Sequence, residues 1–338
     1  MPRGWFVQMT AVNDACNEGL KACDLMTLCS VLRVCDMEIM PLDPGKPCAY
    51  FESHATQQAM FCSGTTGFSF RGRFALPAEW CLLGYIHDTQ KGSWCHGTAL
   101  EAGMAFTVLP EGISEFKLAA QTRLSVILVR LNDLKEKFSE QEPYSVELPS
   151  RMLSLFRLSG QGGNALREHY EQTYRRLFYG HSQSSPLNGD EARLLLGEHL
   201  EVCLAAQSED RPSYSRGRHT HYRILQRVEH FMRANIRHDI YLSELCMVAG
   251  ASERALRYAF NDLLGVSPYR YLSMLRLCTA CRGLSRADVG RRSVKSVALS
   301  CGLWDLSRFA DNYHHMFGEL PHDTLMRTPL RISDAGEA

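Results

Sequence analysis

The spacing of apolar positions changes character near residue 131, and the change divides the chain. Between residues 25 and 130, short runs rich in β-branched, aromatic and Cys residues, as at 68–74, 80–86, 104–109 and 124–131, are punctuated by Gly and Pro. Runs of this length separated by Pro-Gly, Ser-Gly and Glu-Gly dipeptides read as strands joined by turns. Many in succession predict a small barrel or double-layered sheet. After Leu131 the period becomes helical. Leu166, Tyr170, Tyr174 and Leu177 step by three or four residues, as do Leu196, Leu200, Cys203 and Leu204, with a Ser-Pro-Asn-Gly tract at 182–189 between the two helices. Such a pair would cover the open side of the barrel or pair across a dimer. Residues 1–24 carry little periodicity and read as a loose or partly helical leader. The hydrophilic stretch 207–217 reads as an interdomain linker.

From Arg218 onward the pattern predicts seven helices, at about 219–236, 241–249, 252–264, 268–284, 293–301, 305–317 and 321–327. One short pattern occurs twice among them. Leu256 and Phe309, Phe260 and Tyr313, Leu263 and Met316, Gly265 and Gly318, and Pro268 and Pro321 are each 53 residues apart. Ser252 and Asp305 stand where a side-chain oxygen caps the first free N–H groups of a helix. Pro268 and Pro321 stand at the first helical turn, where proline is tolerated. Two short helices about a Gly-containing turn describe a helix-turn-helix, and two in tandem describe a protein that reads two stretches of duplex DNA. The helix at 268–284 joins the copies and would fix their relative orientation.

If Leu256, Phe260, Leu263 and Leu264 face inward, Arg254, Arg257, Tyr258 and Asn261 share the opposite face of the first recognition helix. Arg suits guanine and Asn suits adenine. The equivalent face of the second copy holds Ser307, Ala310, Asp311 and His314, with Arg308 beside it, so the first unit is expected to supply most direct readout. The second is expected to contribute positioning and shape readout. Arg216, Arg218, His219, Arg223, Arg291, Arg292 and Lys295 flank the motifs and are candidate phosphate contacts.

Charge sharpens the division. The whole chain is formally neutral, but from Arg216 onward it holds 18 Lys+Arg against 12 Asp+Glu, leaving the first half acidic by the same margin. A basic half beside an acidic one fits a polyanion-binding domain attached to one that needs no polyanion. The 13 cysteines are spread through apolar runs, as at Cys81, Cys246 and Cys301, which reads as small core thiols in a reducing cytosol. Cys278 and Cys281 have CxxC spacing without a second pair to complete a zinc site, and read as core packing. No basic-then-apolar signal region and no 18-residue apolar run is apparent.

The segment 252–272, with the following Leu275, Arg276, Leu277 and Arg282, resembles the first signature of the AraC/XylS transcription regulators. The segment 301–321 resembles the second and is closest to the ethanolamine-operon regulator branch. The likeness covers roughly 220–328. It implies a seven-helix domain with two recognition helices in successive major grooves, and places Arg254, Arg257 and Tyr258, then Ser307, Ala310 and Asp311, at base-contacting positions. Asp311 departs from the Arg common there. It further implies an N-terminal cupin-like effector and dimerisation domain and contact with RNA polymerase.

Rival readings are weaker. A metal cupin needs convergent histidines and a carboxylate, whereas His54, His87 and His96 are isolated in sequence; Cys95 beside His96 makes no catalytic pair by adjacency. A redox sensor needs an exposed, low-pKa thiol, for which Cys35, Cys48 and Cys281 are the candidates. The expectation is therefore an α+β chain. Residues 1–206 form a β-rich cupin-like effector and dimerisation domain, and residues 218–338 an all-α domain with two helix-turn-helix motifs. The expected function is that of a cytoplasmic, dimeric transcription regulator rather than an enzyme, without a cofactor, with activation as the first reading and repression as an alternative that the sequence does not separate from it. Trp80, Tyr85, Trp94 and Phe106 are the candidate lining of a small-molecule effector pocket.

Overall fold

The computed structural model describes residues 22–327 except 24, 30, 33, 36, 44–46, 56–58, 111, 134–152, 180–188, 206–215 and 288–291. In chain order the first half contains β1 (Ala22–Cys23), α1 (Leu25–Cys29), β2 (Glu38–Pro41), β3 (Ala49–Ala55), β4 (Ala59–Thr66), β5 (Phe70–Phe74) and β6 (Trp80–Asp88). There follow β7 (Trp94–Cys95), β8 (Thr98–Ala99), β9 (Met104–Val108), β10 (Ser114–Leu118), β11 (Arg123–Arg130), β12 (Leu153–Arg157), α2 (Gly160–Tyr179) and α3 (Gly189–Ala205). The second half is helical: α4 (Arg216–Ala234), α5 (Leu242–Ala249), α6 (Glu253–Leu264), α7 (Pro268–Ser285), α8 (Val294–Ser300), α9 (Leu306–Phe317) and α10 (Pro321–Met326). All seven predicted helices of this half are present within three residues of their expected ends.

The strands form two antiparallel sheets, a larger one in the order β1-β3-β4-β11-β6-β9-β12 and a smaller one in the order β2-β5-β10-β7-β8. Alternation of side chains along each strand makes both sheets two-sided. On β6, Leu82 and Ile86 point into the space between the sheets, while Cys81, Leu83 and Tyr85 join a second core with Leu166 and Tyr170 of α2 and Leu196 and Leu200 of α3. The helix pair therefore covers the outer face of the larger sheet. The helical half covers the outer face of the smaller one, and its core is continuous with that of the barrel interior.

The sequence expectation needs two corrections here. Residues 131–206 were expected to be helical, yet β12 pairs with β9 along the edge of the larger sheet, Leu153 opposite Val108 and Arg157 opposite Met104. Its neighbouring residues Leu155 and Phe156 enter the two different cores, so burial on both faces erases the alternation that marks a strand. The expected strand region also begins with a helical turn, α1. The proposed linker at 207–217 lies almost wholly outside the described residues, and Arg216 already opens α4.

Between the sheets lies a cavity of about 90 Å³ lined by apolar side chains and one hydroxyl residue, Ser114. Its walls are built from aromatic rings laid across glycines on the neighbouring strand. Phe106 faces Gly84 in register, and a methyl group at Gly84 would stand 2.1 Å from the ring. Phe116 lies over Gly72 and Phe51 over Gly64 in the same manner.

On its inward face α3 buries a histidine. His199 is wholly enclosed, with Nε2 3.0 Å from the Thr107 hydroxyl and Nδ1 3.1 Å from the Tyr170 hydroxyl. Burial depresses its pKa to about 3, whereas an unfolded histidine titrates near 6.5. The unfolded chain thus takes up the proton first as pH falls. The stability His199 contributes is intact above about pH 6.5 and is lost progressively toward about pH 3. His199→Gln, which cannot titrate, is expected to flatten the fall of melting temperature between about pH 6.5 and 4. Parallel curves for variant and parent would contradict it.

Candidate nucleic-acid interface

The two helix-turn-helix units are built by the same local devices. α5 ends at Gly250 in the left-handed region (φ 62°), which turns the chain into α6. The Ser252 hydroxyl accepts the Ala255 N–H at 3.3 Å and so caps α6, whose end is set by Gly265 at φ 74°. In the second unit Asp305 accepts the Arg308 N–H at 3.0 Å to cap α9, and Gly318 at φ 73° ends it. Gly302 turns the chain between α8 and α9, and a methyl group there would meet the Ile236 carbonyl at 2.6 Å. Leu256, Phe260 and Leu263 are buried along α6, and Phe309, Tyr313 and Met316 along α9, so the repeat read in sequence is a repeat of core positions.

With those faces inward, the predicted outward residues of α6 are all exposed: Arg254, Arg257, Tyr258 and Asn261. Two are held in place. The Arg257 guanidinium donates to Glu253 at 2.7 Å along one helical turn. The Tyr258 ring packs edge-on against His221 of α4 at 5.1 Å, and His221 in turn meets Asp262 at 2.8 Å. On α9, Ser307, Arg308, Asp311 and His314 are exposed and Ala310 is half-buried. Trp304 and Leu306, at the entrance to α9, are exposed large apolar residues that the sequence reading passed over; their signal was an apolar pair outside the buried repeat positions.

Of the flanking cations, Arg216, His219, Arg223, Arg292 and Lys295 are exposed and Arg218 is half-buried; Arg291 lies outside the described residues. Arg218 stands near Lys117 of β10, where burial first and this guanidinium second lower the lysine pKa.

The expected effector lining separates into four environments. Phe106 alone lines the cavity. Trp80 lies under the Arg130 guanidinium at 5.0 Å. Tyr85 stacks on Tyr170 of α2 across the other face of the sheet, at 5.3 Å. Trp94 is buried where the barrel meets the helical half, its indole N–H donating to the Leu263 carbonyl at 2.8 Å. An aromatic residue on a sheet buried on both sides can serve either face, and composition does not say which.

Cys278 and Cys281 are both buried on α7. Burial pushes the first thiol up and the second up to about 11, the opposite of what a thiolate sensor requires. The Ser125 hydroxyl lies 2.8 Å from His87 Nε2, and His87 Nδ1 lies 3.0 Å from Glu171, the spacing of a hydrolase triad. Ser125 is only 2% exposed, under α2, so a substrate carbonyl has no approach. The array satisfies buried polar atoms.

Comparison with known proteins finds transcription regulators of similar sequence. Residues 245–327 match the family described as a helix-turn-helix domain. The chain is 32% identical over 160 residues to the XylDLEGF operon transcriptional activator 1 of Pseudomonas putida, covering 47% of this chain and 46% of that protein. With activator 2 of the same operon it is 34% identical over 113 residues, covering 33% of this chain and 72% of that protein. The chain thus spans less than half of the first of these relatives. Among solved structures, a probable AraC family transcriptional regulator from Rhodopseudomonas palustris is 36% identical over 31% of this chain and 95% of its own, with a TM-score of 0.29.

Proposed function

The chain belongs to the AraC/XylS family of transcription regulators, and from that membership we propose that it is a sequence-specific DNA-binding activator that inserts α6 and α9 into successive major-groove segments. One observation carries the reading. Cap, left-handed glycine, buried apolar triplet and N-terminal proline recur at an interval of 53 residues, and the first copy turns Arg254, Arg257, Tyr258 and Asn261 outward. Two units bridged by one helix would reach groove segments about 34 Å apart on one side of the duplex.

The helices would differ in task. α6 offers two guanidiniums and an amide, the groups that read guanine and adenine edges. α9 offers Ser307 and Arg308 beside the carboxylate of Asp311, and would position the protein more than it reads sequence. Arg216, Arg223, Arg292 and Lys295 would contact phosphates, giving binding that weakens steeply with salt.

Residues 1–206 serve in this proposal as the effector and dimerisation domain, joined by residues 207–217 to the DNA-binding domain at 218–338. Activation would proceed as a homodimer in contact with RNA polymerase, as in the family. The cavity between the sheets is the effector compartment. Its lining offers nothing to pair with a charge, so it suits an uncharged apolar guest. Engineered apolar cavities of about 150 Å³ hold benzene, so a space of about 90 Å³ takes a smaller guest unless the Phe rings turn. Among the described residues no helix is long and apolar enough to cross a membrane.

Footprinting the full chain identifies its sites, and competition binding then tests the assignment. Arg254→Ala or Arg257→Ala is expected to cost about 1–3 kcal/mol on the cognate site and to relax base preference there. Equal weakening on random duplex would argue against base readout by either residue. Asp311→Arg is expected to raise affinity for random duplex by removing a negative charge and adding a positive one beside the phosphates. An unchanged titration would take α9 out of the groove.

A further inference from the structure

The barrel and the helical half meet through charges that are almost completely removed from water. Arg71 on β5 is 2% exposed. Its guanidinium pairs with Glu229 of α4, lies 3.3 Å from Glu115 of β10 and donates to the Tyr271 hydroxyl at the start of α7. Glu115 accepts from the Tyr222 hydroxyl of α4 at 2.6 Å and pairs with Arg73 at 3.0 Å. At the rim, Glu38 of β2 pairs with Arg233 of α4 at 2.9 Å and with Arg282 near the end of α7. The cluster thus holds α7, the bridge between the two helix-turn-helix units, near both of its ends.

The same strands wall the cavity. On β5, Phe70 and Phe74 face it while Arg71 and Arg73 face the helical half; on β10, Ser114, Phe116 and Leu118 face it while Glu115 faces outward. One strand thickness separates the cavity from the ions.

We propose that the ionic cluster around Arg71 is a releasable latch between the two halves, and that β5 and β10 carry occupation of the cavity to it, freeing α7. The proposal rests on the effector reading above. Its thermodynamic basis is the balance of a buried ion cluster. Stripping water from charges costs about as much as their attraction returns, so such a cluster fixes one arrangement without deeply stabilising it. This cluster is also imperfect. It brings four guanidiniums to three carboxylates, and Arg71 Nε is enclosed without a hydrogen bond. A void of about 20 Å³ bordered by Glu38, Arg71, Arg73, Arg233 and Arg282, and by Met40, Leu275 and Cys278, lies on its β2–α7 side. Separation of the halves rehydrates every one of these groups, so the ions oppose release less than their number suggests, and a displacement of β5 that spoils their geometry favours the released form.

Hydrogen exchange on the full chain tests this with two variants, each first checked for a cooperative melt. Glu229→Gln alone leaves the Arg71 guanidinium enclosed without its central carboxylate, a cost that the docked form bears and the released form does not. Ser114→Leu places an apolar side chain in the cavity from β10, in the position of a guest. Both are expected to speed exchange of α4 and α7 amides by about tenfold while β4 and β11 of the larger sheet stay protected. Both are expected to tighten binding to the footprinted sites by at least about fivefold. Unchanged exchange in Glu229→Gln overturns the latch. Faster exchange there but not in Ser114→Leu overturns transmission from the cavity. If the parent protein selects no DNA site, the regulator reading fails, while the exchange measurement still decides the latch.

Discussion

A guanidinium held out of water between two protein halves is the constraint on which this architecture turns. Arg71 cannot be left alone in the interior, because an unpaired buried charge costs several kcal/mol (about 3–5 when one partner of a buried pair is removed). It therefore dictates the positions of Glu229, Glu115 and Tyr271, residues from three other elements. Burial pushes the Glu115 carboxyl up, but Arg71, the Tyr222 hydroxyl and Arg73 outweigh it, and the net shift is downward, so the charge persists in the fold. Burial and the Glu115 carboxylate hold the Tyr222 phenol up, keeping it a donor. Apolar contact alone would let the halves slide; the ions admit one docking geometry. The β7–β8 hairpin supports it, with His96 and Gly97 both at positive φ and Trp94 reaching the Leu263 carbonyl.

The alternation of a strand makes this constraint useful. A sheet with one face in a cavity and the other on a partner domain has no passive side. Phe116 lies on Gly72 because that glycine leaves room for the ring, and the residues flanking Gly72 on β5 are Arg71 and Arg73. Ring position and ion position are therefore set by one short segment, Phe-Arg-Gly-Arg-Phe. The larger sheet does the same work structurally, with the cavity on one face and α2 and α3 on the other.

The helical third was legible in sequence because its determinants are local. Ser252 caps a group three residues away, Gly265 and Gly318 end the helices in which they stand, and the apolar steps of three and four recur in both copies. The barrel was legible only as a class. Strands at 38–41, 49–55, 59–66 and 114–118 went unassigned individually, and β12 was read as helix, because strands buried on both faces lose their period. The cluster at the domain interface was not legible at all. Arg71 and Tyr271 are 200 residues apart, and nothing local marks either one as the other's partner. Three of the four aromatics expected in an effector pocket lie away from the cavity for a related reason: composition identifies a large buried ring but not the face it serves.

Access, rather than distance, finally separates a candidate site from a structural array in this molecule. Ser125, His87 and Glu171 have the spacing of a catalytic triad, yet α2 seals them, and the stacked rings of Tyr85 and Tyr170 close the same face. Arg254 and Arg257 make no such array, but they project from a helix whose other face is anchored by Leu256, Phe260 and Leu263 at zero exposure. A rigid inner face gives the outer one a defined position, and the outer one meets solvent or whatever displaces it. Glu253 and His221 then narrow the freedom of Arg257 and Tyr258 before any partner arrives, which lowers the ordering cost of binding. Preorganised and reachable side chains of the right chemistry occur together on α6, and that conjunction distinguishes it from the buried polar arrays elsewhere in the fold.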